Sequence, residues 1–78
     1  MWVIITGDNC SSCDKAKSLL ASSNRLYKVY NVHDDDNQWV LNLLKSSSLT
    51  TVPQIFRPNG TLVGGYTELK ELFVGGPL

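Results

Sequence analysis

Two cysteines separated by two residues carry most of the chemistry available to this chain: Cys10 and Cys13, with Ser11 and Ser12 between them. They follow a short apolar run, Trp2-Val3-Ile4-Ile5-Thr6, and a turn-forming Gly7-Asp8-Asn9, and they open a stretch with helical spacing. A thiolate, not a thiol, attacks a disulfide. A cysteine at the start of a helix meets unpaired backbone N–H groups and the positive end of the helix dipole, and both stabilise the thiolate. Residues three apart on a helix hold their Cβ atoms ~5–6 Å apart, and a disulfide accepts Cα separations of ~4.4–6.8 Å. The pair therefore suits thiol–disulfide exchange, with Cys10 attacking and Cys13 resolving the mixed disulfide.

Other uses of two cysteines fit less well. A disulfide across so short a loop removes little entropy from the unfolded chain, so the pair is no structural staple. A zinc knuckle takes four ligands as a rule, and the chain offers Cys10, Cys13 and His33; no metal site is expected. Ser11-Ser12 makes a polar, exposed turn rather than a link between two buried thiols. His33 reads as a solvated surface histidine. The adjacent Asp34-Asp35-Asp36 reads as the first turn of a helix, where carboxylates cap free N–H groups.

The cysteines need a scaffold to hold them. Trp2 to Thr6 is short, apolar and rich in β-branched residues, which predicts a strand buried on both faces. From Ser11 to Ser22, Cys13, Ala16, Leu19 and Leu20 fall on one helical face. Leu26 to Val32 is aromatic and β-branched and predicts a second strand. Strand, helix, strand implies parallel strands with a right-handed crossover. After the aspartates a second helix turns Val40, Leu43 and Leu44 inward, with Trp39 flanking the core, and ends near Lys45. Gln54–Arg57 and Thr61–Val63 form a hairpin about Pro58-Asn59-Gly60, where Pro58 presets the first turn position and Gly60 takes positive φ. Gly64-Gly65 breaks the strand. Thr67 caps a last helix with Leu69, Leu72 and Phe73 as its stripe, and Gly75-Gly76-Pro77 stops it. The order β-α-β-α-β-β-α predicts an α/β sandwich around four strands, one domain over residues 1–78.

Composition narrows the function classes. Hydrophobic residues make up 42% of the chain, which is ordinary for a folded protein. Seven basic and seven acidic side chains balance, so the chain lacks the basic footprint of a nucleic-acid binder and does not steer charged partners strongly. No stretch approaches the ~20 apolar residues that span a bilayer. The first apolar run has neither a basic stretch before it nor a small-residue cleavage pattern after it. The expectation is a monomer in the reducing cytoplasm, with no nucleic-acid or membrane partner.

Four features stand in order: Cys10-Ser11-Ser12-Cys13, Thr51-Val52-Pro53-Gln54-Ile55-Phe56, Gly64-Gly65-Tyr66-Thr67, and the closing helix. Together they resemble the glutaredoxins, most of all the short phage-type members, over nearly the whole chain. The resemblance implies a thioredoxin-like fold, a four-stranded mixed sheet flanked by three helices. It implies a thiol–disulfide oxidoreductase with glutathione as co-substrate and no tightly bound cofactor. Protein disulfides would be the clients, ribonucleotide reductase among them. Pro53 would be a cis-proline facing the cysteines, and Val52 would offer its backbone to the cysteinyl part of glutathione, as an edge offers itself to an added strand. Gly65, Tyr66 and Thr67 would hold the γ-glutamyl end, where Gly-Gly permits close approach and a helix N-terminus receives a carboxylate. Ser11, Ser12, Thr51 and Gly64 would support this site.

The chain also departs from that pattern. Many members carry Pro-Tyr between the cysteines, a lysine shortly before the first, and a basic residue just before Thr-Val-Pro. Here the corresponding stretches are Ser11-Ser12, Thr6-Gly7-Asp8-Asn9 and Leu49-Thr50. The missing charges imply weaker contacts to glutathione carboxylates, by about 1 kcal/mol for each exposed contact. Asp8 and Asp14 oppose a thiolate, and Lys15 and Lys17 offset them in part. Two alternatives stay open. One is a thioredoxin-like carrier reduced by a flavoprotein reductase. The other is a glutathione-dependent carrier of a two-iron, two-sulfur cluster, a class that tends to lack the proline after its first cysteine.

Overall fold

Alternation along β1 (Trp2–Thr6) sends Trp2 and Ile4 to one face of the sheet and Val3 and Ile5 to the other, and each pair seeds its own core. The computed structural model describes residues 1–49 and 51–73. After β1 come α1 (Ser11–Ser22), β2 (Tyr27–Asn31), α2 (Gln38–Ser46), β3 (Gln54–Phe56), β4 (Leu62–Gly64) and α3 (Tyr66–Phe73), the order expected from the sequence. The four strands form one mixed sheet in the order β2-β1-β3-β4. β2 runs parallel to β1, from Trp2 opposite Tyr27 to Thr6 opposite Asn31. β3 is antiparallel to β1, and β4 to β3.

α1 and α3 cover the face bearing Trp2, Ile4 and Ile55. Ala16 and Leu20 of α1 and Leu69 of α3 are buried there, with Phe73 packed against them. The rings of Trp2 and Phe73 meet edge to face at 5.4 Å. α2 covers the opposite face, with Val40 and Leu44 buried against Ile5 and with Val3 and Phe56 beside them. Full burial of a side chain such as Leu20 stabilises the fold by about 1.5–3 kcal/mol.

α1 has the bounds that its apolar spacing and serine-rich ends predict. Several other expectations shift. β2 is shorter than Leu26–Val32, because Leu26 lies beyond the β1 pairing and is 76% exposed. The aspartates do not cap α2. Asp34 precedes a 3-10 turn, Asp35–Asn37, and makes no side-chain capping bond. α2 begins only at Gln38, after Asn37 Nδ2 has donated to the Asn31 carbonyl at 3.0 Å. Leu43 is 50% exposed rather than inward; Val40 and Leu44, one turn apart, already form the buried line, and Leu43 falls about 100° off Leu44 on a helix with 3.6 residues per turn.

The hairpin turn forms as expected: Gly60 N–H donates to the Arg57 carbonyl at 2.9 Å and Arg57 N–H to the Thr61 carbonyl at 2.9 Å, with Gly60 at φ +88°. β3 stops one residue earlier than expected, and β4 is displaced one residue onward to end at Gly64. Thr67 does not cap α3, which already begins at Tyr66. The Glu68 carboxylate instead accepts from the Gly65 N–H at 2.7 Å, the reach-back arm of a capping box. In α3 Leu69 is buried, whereas Leu72 is 38% exposed. The expected stop at Gly75-Gly76-Pro77 lies outside the described residues.

Candidate active site

Strand directions bring the chemistry to one end of the sheet. β1 and β2 finish there, at Thr6 and Asn31, β3 starts there at Gln54, and β4 finishes there at Gly64. Cys10 is the N-cap of α1 with extended backbone, φ −117° and ψ 97°. Its Sγ accepts from the Cys13 N–H at 3.1 Å, so the sulfur takes one of the donors that a helix start leaves unpaired. Cys10 and Cys13 are joined in a disulfide with Cα atoms 5.2 Å apart. Cys13 faces the α1 core and is 1% exposed, whereas Cys10 is half-buried. A thiol arriving from solvent therefore meets Cys10. Ser11 and Ser12 occupy the exposed first turn of α1.

The segment before β3 faces Cys10. Its Sγ lies 3.8 Å from the Val52 carbonyl oxygen, the Val52–Pro53 bond is cis, and Pro53 is buried. Gln54 organises this bend: its buried amide donates to the Thr51 carbonyl at 2.9 Å and to Thr51 Oγ1 at 3.3 Å. Gln54 lies outside the sequence-predicted supporting residues; the signal for it is a polar side chain opening an otherwise apolar strand. On the other flank, a Cβ on Gly65 would lie 3.6 Å from the Pro53 carbonyl oxygen, so the start of α3 adjoins the same bend. Gly64 sits at φ +125°, and a Cβ there would come within 2.7 Å of Glu68 Oε1, which restricts the position to glycine. Tyr66 packs against the core with Lys15 Nζ 6.0 Å from its ring, and Thr67 is exposed. The sequence-predicted residues thus gather at one end of the sheet.

The charges near Cys10 are engaged. Lys17 Nζ is 3.3 Å from Asp14 Oδ1, which offsets the carboxylate in the first turns of α1. Asp8 Oδ1 accepts from Asn31 Nδ2 at 3.0 Å, and Asn31 Oδ1 accepts from the His33 N–H at 2.8 Å. His33 is exposed as expected, yet its ring does not simply face solvent. A Cβ on Gly7 would meet His33 Nε2 at 3.5 Å and Val52 Cγ2 at 3.2 Å. The sequence could not show that the end of β2 lays this ring over Gly7. Among the described residues no cluster of three His, Cys, Asp or Glu side chains forms a metal-holding group.

A family model described as glutaredoxin matches residues 2–63 of this arrangement. The chain belongs to the glutaredoxin family. It is 38% identical over 78 residues to the mitochondrial glutaredoxin-2 of Homo sapiens, covering 97% of this chain and 47% of that protein. It is 30% identical over 73 residues to the glutaredoxin of Enterobacteria phage T4, covering 82% of this chain and 84% of the phage protein. The chain spans about half the length of the mammalian glutaredoxins it matches. The crystal structure of a wheat glutaredoxin superposes with a TM-score of 0.80 at 25% identity, over 96% of this chain and 70% of the wheat chain. The four-stranded mixed sheet with three helices is the thioredoxin-like fold of glutaredoxins, and Cys10 and Cys13 are its CxxC pair, close enough to close the disulfide.

Proposed function

We propose that the chain is a thiol–disulfide oxidoreductase that reduces protein disulfides and glutathione mixed disulfides and is regenerated by glutathione. The supporting observation is the asymmetry of the two sulfurs: Cys10 Sγ stands at a helix start opposite the Val52 carbonyl, and Cys13 is buried behind it. The Cys10 thiolate attacks one sulfur of the substrate disulfide; that S–S bond breaks, and the departing thiolate takes a proton from solvent. Cys13, deprotonated, then attacks Cys10 Sγ, releases the second substrate thiol and closes the Cys10–Cys13 disulfide. One glutathione thiolate reopens it at Cys10, the exposed sulfur. A second attacks the glutathione sulfur of that mixed disulfide, leaving glutathione disulfide and a free Cys10 thiolate.

Glutathione would lie across the Val52 backbone, its cysteinyl sulfur at Cys10 and its γ-glutamyl carboxylate on the Tyr66 and Thr67 N–H groups and the Thr67 hydroxyl. α3 presents its unpaired donors there, and Gly65 next to Pro53 leaves room for the ligand. Ribonucleotide reductase is a protein client consistent with the family, and a reducing compartment such as the cytoplasm keeps both thiols available. Turnover of a glutathionylated peptide tests the assignment. Cys10→Ser is expected to be inactive, and Cys13→Ser to retain turnover, because removing glutathione needs only the first sulfur. Equal rates for wild type and both variants would contradict these roles.

A further inference from the structure

α2 has nine residues and does not cover the whole of its sheet face. Between α2 and the β3–β4 hairpin lies a cavity of about 310 Å³, at the lower end of the ~300–1,000 Å³ range of small-molecule sites. Val3, Ile5 and Phe56 line it from the sheet, and Trp39 and Leu43 from α2. These two α2 residues stand four apart, on one line of the helix. Trp39 is 56% and Leu43 50% exposed, so the apolar line that the core leaves unused opens onto the cavity. Tyr30 closes one side, its ring edge to face with Trp39 at 5.6 Å. None of the residues assigned to the redox site lines this cavity.

The charges around it have one sign. Arg57, at the hairpin, is the only charged side chain among the described residues that line it. Lys28 stands on the same sheet face, opposite Val3 as Tyr30 stands opposite Ile5, and its Nζ lies 5.2 Å from the Tyr30 ring. The aspartates before α2 are not part of the lining. Among the described residues neither Arg57 nor Lys28 enters an ion pair.

We infer that this cavity binds a small amphipathic anion, an apolar chain or ring carrying one carboxylate. The apolar body lies against Val3, Ile5 and Phe56, where its burial drives binding. The carboxylate pairs with Arg57, which selects the acid over a neutral molecule of the same shape. A second copy of the chain would need about 800 Å² of surface a side, more than one cavity of this size offers.

Octanoate, 1-octanol and octylamine share one apolar body and differ in charge. Each is titrated into the full chain, oxidised and labelled with nitrogen-15, and followed by amide and indole chemical shifts. Octanoate is expected to saturate one site, moving the Trp39 indole N–H and the amides of Val3, Ile5 and Leu43 while leaving those of Cys10 and Cys13 in place. Its Kd should lie about threefold below that of octanol, the scale of one exposed charged contact, and octylamine should bind more weakly than either. Arg57→Gln should raise the octanoate Kd to that of octanol and leave octanol unchanged. Leu43→Glu, at the exposed mouth, should weaken octanoate severalfold by placing a like charge beside it. Octanol binding as tightly as octanoate, an acid-to-alcohol ratio that Arg57→Gln leaves untouched, or shifts that scatter over the surface without saturating would each overturn the inference. So would cosedimentation of the chain with phosphatidylglycerol vesicles that Arg57→Gln abolishes, which makes the face a membrane contact, or a ligand-free dimer that Leu43→Glu dissolves. Turnover of the glutathionylated peptide should stay unchanged in Arg57→Gln, since the cavity is separate from the redox pair; its loss would overturn that separation.

Discussion

At Cys10 one sulfur is both the attacking atom and the cap of a helix. Its Sγ accepts the Cys13 N–H at 3.1 Å, the place a serine or aspartate side chain usually fills at an N-cap. A serine at this position can keep the capping bond while losing the chemistry; an alanine loses both. In the reduced protein Cys10→Ser should therefore be more stable than Cys10→Ala by about 1 kcal/mol, measured by urea denaturation, with neither variant active. Equal stabilities would show that the sulfur does not cap. The two cysteines were legible in the sequence because their spacing and their place after a strand each carry chemical meaning. Gln54 and His33 were not: Gln54 turns its amide back onto Thr51, three residues earlier, only in the bend before β3, and His33 meets Gly7 across the parallel pairing of β1 and β2.

Elements were legible where apolar spacing and end signals agreed. α1 had both, with Cys13, Ala16 and Leu20 on one face and Ser22-Ser23-Asn24 at its end, and its bounds came out as expected. α2 was blurred by three aspartates that resemble a cap in sequence but form a separate 3-10 turn in space. α3 illustrates a start signal with more than one reading. Thr67 has the hydroxyl of a cap, but Glu68 reaches back to the Gly65 N–H at 2.7 Å and sets the start two residues earlier. Removing that carboxylate in Glu68→Ala should cost about 1 kcal/mol, read as a lower denaturant midpoint with unchanged slope. No loss of stability would mean that solvent satisfies the Gly65 N–H equally well.

A chain of 78 residues has little stability to spare, about 4–12 kcal/mol at 0.05–0.15 kcal/mol per residue. One residue of the central strand, Ile4, is fully buried between the sheet and the α1–α3 layer. Ile4→Ala should cost about 2–5 kcal/mol, enough to lower the guanidinium midpoint by about a sixth or more; a loss below about 1 kcal/mol would mean that the core relaxes around the gap. The mixed sheet was readable at this scale because a βαβ unit and a hairpin leave few ways to share a sheet. What could not be read was how four loops converge at one end of the sheet, since that depends on the order β2-β1-β3-β4.

Alkylation of the reduced protein by iodoacetamide at neutral pH, with each cysteine followed by peptide mass analysis, tests most directly whether that convergence makes a reactive thiolate. Residue 10 is expected to react about tenfold or more faster than residue 13 and faster than the same cysteine in the urea-unfolded chain, because a helix start raises the thiolate fraction while residue 13 stays buried. Equal rates at the two positions, or a rate at residue 10 no higher than in the unfolded chain, would contradict the role given to Cys10.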